Sequence, residues 1–207
     1  MWTQAYEAYL QEMTSHCEAA LDAMGELSFS VLNLRRLAHG SKRYHDFHNR
    51  IFHSIYLFLT HAGAISVMLW PEIHKESDEN GFYIHSKNSI TNTIKKGLTP
   101  VSRANLNNRH LRTKIKFTLE QRQRMGEQED FRNDIVSPCL GFSGTPLAKE
   151  ICAYDPISRI FYLYGEPIKI DDLTVAVYEL LNCIRKETEK RKRPSPVLSE
   201  TSARVNT

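Results

Sequence analysis

"YHDFHNRIFHSIYLFLTHAGAISVMLW", residues 44–70, is the stretch whose reading decides the fold. At 100° per residue, Ile51, Ile55, Leu59, Ala62, Ser66 and Leu69 fall on one stripe, and Phe47, Phe58, Ile65 and Val67 widen it. A helix apolar over this much of its circumference belongs at the centre of a bundle. Pro71 stops it, because proline supplies no N–H and its ring clashes with the preceding turn.

Working outward, Tyr6, Leu10, Met13, Cys17, Ala20, Leu21 and Met24 recur at helical steps and predict a helix over about 3–40. Gly25 permits a bend there, and Gly40 with Ser41 suits a stop. Beyond Pro71 the chain is polar, with Asn80-Gly81 as a turn signal, before a short helix expected at about 87–97. Thr99 as cap and Pro100 at the first helical position open the next helix, expected to run to about 125. On it Val101, Ala104, Leu111, Ile115 and Leu119 share a core face, with Asn108 among them and Arg112 at the edge. Asn105, Arg109 and Lys116 continue that flank, whereas His110 points elsewhere. Leu106 and Phe117 fall opposite the core face and need another helix or another subunit to cover them.

The period changes at "ICAYDPISRIFYLYGEPIKI", residues 151–170. Two β-rich runs flank Asp155-Pro156-Ile157-Ser158, which reads as a hairpin turn, or a meander if 168–170 also pairs. Asp171 or Asp172 is expected to cap a last helix whose stripe is Leu173, Ala176, Val177, Leu180, Leu181 and Ile184. The expected fold is therefore mainly α: one helical-bundle domain over 1–190 with a small β-hairpin at about 150–170. A basic, Ser/Pro-containing tail over 191–207 is expected to be disordered.

At 207 residues, 41% hydrophobic and 25% charged, the chain suits one water-facing core. No basic and apolar leader opens it, and its four cysteines are far apart, as in a cytoplasmic protein that makes no membrane contact. The +3 net charge is unevenly placed: residues 1–30 carry five acids and no Lys or Arg, while 95–124 carry nine bases against Glu120 alone. Such clustering speaks of partners, or of an acidic helix lying beside a basic one.

Candidate chemistry narrows quickly. His39, His45, His48 and His53 crowd one stretch, but helical angles scatter their rings and no cysteine pair or HExxH assists, so no metal is expected. "GFSG" lacks the GxSxG spacing of a nucleophile elbow, and without a Walker loop or GxGxxG no cofactor is expected. The basic helix remains. A groove of Asn105, Asn108, Arg109, Arg112 and Lys116 suits phosphate and base edges of RNA. Cutting RNA would further need proton transfer at the 2′-hydroxyl and at the leaving oxygen.

Three stretches carry a resemblance. "IFHSIYLFLTHAGAISVMLWP" (51–71), "NRHLRTKIKFTLE" (108–120) and "YDPISRIFYLYGEPIKIDDL" (154–173) follow one another as in a bacterial family of helical proteins that resembles the HEPN superfamily. Its nuclease members carry an Arg, usually followed by a polar residue, then a His four to six residues on. Here Arg112 matches, but Thr113 stands for the usual Asn, Lys116 for Glu and Phe117 for the working His, while Glu120 keeps a later acid. The resemblance implies an RNA-associated protein of toxin or phage-defence type, either a metal-independent ribonuclease or a degenerate relative of one. It also implies a homodimer through the 99–125 helix. Arg112, His110 and Glu120 would be its catalytic candidates, with Asn105, Asn108, Arg109 and Lys116 binding RNA. The competing expectation is a non-catalytic helical module that binds a partner protein or senses a ligand, with the hairpin as a pairing edge.

Overall fold

In a computed structural model, residues 2–70, 90–108, 139–140, 152–163 and 166–192 are described. The protein is mainly helical, with a small antiparallel sheet before the final helix. Helix α1 (Trp2–Leu34) and helix α2 (Lys42–Leu69) form an antiparallel hairpin: Tyr9 Oη donates to the Met68 carbonyl at 2.6 Å, and Arg50 meets Glu26 at 3.6 Å. Gly25 does not break α1, because the stripe continues through Met24, Leu27 and Leu34, all buried. The turn between the helices uses Gly40 at φ 82, a conformation that costs glycine little. Ser41 then caps α2 by accepting the Tyr44 N–H at 3.2 Å.

All six residues of the α2 stripe are buried, as are Phe58 and Ile65. Val67 is the exception, 53% exposed on the outer flank. Helix α2 is long and apolar enough to cross a membrane, and 56% of its most apolar stretch is buried inside the bundle.

Residues 90–97 form α3, which lays Ile90 and Ile94 into the core, and helix α4 (Pro100–Leu106) follows. The Thr99 cap and Pro100 are where the sequence places them, but the helix is short. Asn107 closes it by donating its N–H to the Arg103 carbonyl at 3.0 Å, so a single helix over 99–125 is corrected. Its phase is corrected as well. Val101 is 68% exposed, whereas Ser102 and Leu106 are buried, so Leu106 needs no second subunit to cover it.

The sheet is a meander of β2 (Cys152–Asp155), β3 (Ile160–Leu163) and β4 (Glu166–Lys169), with β1 (Cys139–Leu140) parallel to β2. Asp155 organises the turn, its carboxylate accepting from Ile157 N–H at 2.9 Å and Ser158 Oγ at 2.6 Å. Arg159 closes it at φ 54. Phe161 meets Tyr56 of α2 edge to face at 6.0 Å, seating the sheet on the bundle. Ile170 N–H donates to the Arg159 carbonyl, which makes Ile168–Phe161 a bonded pair and Pro167–Tyr162 a non-bonded one. Pro167 therefore costs the sheet no ladder bond.

Helix α5 (Ile170–Lys192) starts directly at the end of β4, so Asp171 and Asp172 lie in its first turn instead of capping it. Its expected stripe is buried in full. Two of the acids of α1 find partners on the helices beside it: Glu18 meets Arg185 of α5 at 3.4 Å, and Glu26 meets Arg50.

Candidate functional site

Where α4 ends beside the β4–α5 junction, the surface opens into a cleft of about 360 Å³. It is lined by polar Asn105, Asn108, Lys169 and Asp172 and by apolar Ala104, Pro167, Ile168 and Leu173. Each position has a local cause. Asn105 lies on α4 and Asn108 just past its cap, so the closing turn brings both amides to one side. Lys169 and Asp172 straddle the strand-to-helix joint, with Nζ and Oδ2 3.9 Å apart. Asn105 Nδ2 donates to the Asp172 main-chain carbonyl at 3.4 Å, a long bond that spans the cleft.

Two further contacts hold α4 in place. Glu179 of α5 accepts from Thr99 N–H at 2.6 Å, from Thr99 Oγ1 at 3.0 Å and from Ser102 Oγ. Partial burial raises its pKa, but the bonds from Ser102 and Thr99 outweigh this and hold the carboxyl below its ordinary value. At the other end of α4, buried Ser66 Oγ of α2 donates to the Leu106 carbonyl, satisfying an acceptor that the helix terminus leaves open.

Of the sequence candidates, Asn105 and Asn108 come together in this cleft, joined by Lys169, which nothing in the local sequence had marked. Arg109, His110, Arg112, Lys116 and Glu120 lie outside the described residues. Among the described bases of the 95–124 run, Lys95 sits over the Trp70 ring at 5.2 Å and Arg103 donates to the Leu98 carbonyl at 3.3 Å.

A second polar group was missed because its members are 45 residues apart: His16 of α1 and His61 of α2, Nδ1 to Nδ1 at 2.9 Å. The 5.2 Å between ring centroids matches that gap plus the two ring radii, so the nitrogens point straight at each other. That is the line of an N–H···N bond; lone pairs bound for one metal would converge off it. Burial, then the neighbouring His16, lowers the His61 pKa. The histidines that the sequence crowds together instead gather at rings: His39 and His48 stack near Tyr44, and His48 also meets Phe52. Among the described residues no group of three potential ligands assembles. Cys17 is no nucleophile either, since burial pushes its pKa up to about 12.

No family model matches the chain, and no curated protein or solved structure matches it. The cleft and its chemistry are therefore what a functional reading rests on.

Proposed function

We propose that the protein is an HEPN-like, RNA-associated protein, a degenerate relative of nucleases of toxin or phage-defence systems, which holds RNA at the α4 cleft. The observation that carries this reading is the convergence of Asn105, Asn108 and Lys169 on one cleft, at the point where the sequence enters its most basic run. Amides that meet base edges beside a stretch rich in Arg and Lys make a combination suited to a flexible single strand. Phe117, where the resemblance puts the proton-transferring histidine, argues for binding over cutting.

The test is to incubate purified protein with tRNA and total RNA, following binding by anisotropy and cleavage on gels, beside Arg112→Ala. Binding that weakens steeply with salt and falls in the variant, without cleavage, is the expected result. Cleavage that disappears in Arg112→Ala would make the protein a working nuclease. Absence of RNA binding at low salt would end the reading.

A further inference from the structure

We propose that the α4 cleft receives an uncharged planar group, a nucleobase, and not the phosphate of its nucleotide. This rests on the RNA-associated reading and names the part of RNA that the cleft would take.

Charge balance decides the class. Among the described residues, the ionisable ones lining the cleft are Lys169 and Asp172, and they face each other. The first turn of α5 opens at the same place, and the amino end of a 23-residue helix would ordinarily draw an anion. Asp172 stands in that turn and offsets its field, while Asp171 beside it is paired with Arg159 at 2.5 Å. Of the described bases on α3 and α4, Lys95 is engaged at Trp70 and Arg103 at the Leu98 carbonyl. A phosphate entering here would give up its hydration for one lysine already matched by a carboxylate.

The cleft suits a neutral ring better. Each Asn amide sets a donor beside an acceptor, and that pair bonds the adjacent N6 and N7 of adenine in bidentate fashion. Among the described residues Asn105 makes a long bond to the Asp172 carbonyl, which a ligand edge can replace. Pro167, Ile168, Leu173 and Ala104 supply the apolar surface a ring face needs, and the volume falls within the span of small-ligand pockets, about 300–1,000 Å³.

The experiment titrates the full-length protein with adenosine, and separately with inorganic phosphate and ribose 5-phosphate, following the side-chain amide signals by NMR. Adenosine should shift the Asn105 and Asn108 signals, with an affinity changing less than about twofold between ~50 and ~300 mM salt. Asn108→Ala should weaken binding about tenfold or more. A melting temperature equal to the parent's shows that the variant is folded. Phosphate moving the same signals, or adenosine leaving both amides unmoved, would each overturn the proposal. RNA binding on the same samples separates the two readings. RNA that binds without competition from adenosine overturns the base assignment alone. Adenosine that binds where RNA does not overturns the RNA reading alone.

Discussion

The α1–α2 seam and the α4–α5 seam are built on different physics. The first zips two long helices along an apolar stripe, from Leu10 and Met13 to Leu27 against Ile51, Ile55, Phe58 and Leu59, with the Arg50–Glu26 ion pair on its exposed rim. The second holds a helix of seven residues, too short to persist alone, and polar contacts fix its position: Glu179 of α5 on its first turn, the Asp172 carbonyl on Asn105 and, from α2, Ser66 on its last carbonyl. Area gives the first seam its strength, and a few directed bonds give the second its position. The candidate site lies on the second, where single side chains set the geometry and local opening should come first.

The largest break in this comparison should come from Phe58→Ala. Emptying that fully buried site should cost about 3–5 kcal/mol and unfold both seams together, visible as one shifted denaturation curve. Glu179→Ala should be milder and local. Losing the acceptor for Thr99 and Ser102 should cost about 1–2 kcal/mol, with hydrogen exchange rising in α4 while α1 and α2 stay protected. Exchange rising equally in α1 would show that the seams are not separable.

Acid should then divide the two seams by pH. His61 binds its proton less readily in the fold than in the unfolded chain, so its contribution is complete above the ordinary histidine value of 6.5 and is lost as pH falls through its lowered value. A second proton on the pair also removes the acceptor of the His16–His61 bond. Glu179, likewise depressed, keeps its contribution above 4.5 and loses it only at lower pH. Melting temperature should therefore fall in two steps on acidification, and His61→Phe should erase the upper one. A single step near the carboxylate range in the parent protein would contradict this. The smallest effect is expected at Gly97, where an added Cβ would meet Cys183 Sγ at 3.0 Å. Gly97→Ala alone should change stability little, as helix propensity offsets the crowding. In a Cys183→Ala background the same change should stabilise by about 0.5–1 kcal/mol.

What the sequence revealed follows the same division. The stripes of α2 and α5 were legible because apolar residues at helical spacing write their own burial, and Asp155-Pro156 announced its turn. The α4 face was misread because its phase was taken over 99–125, whereas Asn107 closes the helix and Ser102 is buried against a carboxylate 77 residues away. No local pattern encodes such a partner. The cleft was half legible: its amides lie in one stretch, while Lys169 and Asp172 arrive from a strand-to-helix joint far along the chain. His16 and His61 meet only because two helices fold back on each other.

The bond from Ser66 to the Leu106 carbonyl has a consequence for any occupant of that cleft. Leu106 lies between Asn105 and Asn108, with its side chain fully buried and its carbonyl fastened to the most buried helix of the bundle. The two amides thus hang from either side of an anchored residue. An incoming molecule would meet a preorganised pair and would forfeit little conformational entropy in aligning it, so even modest contacts would be retained as affinity.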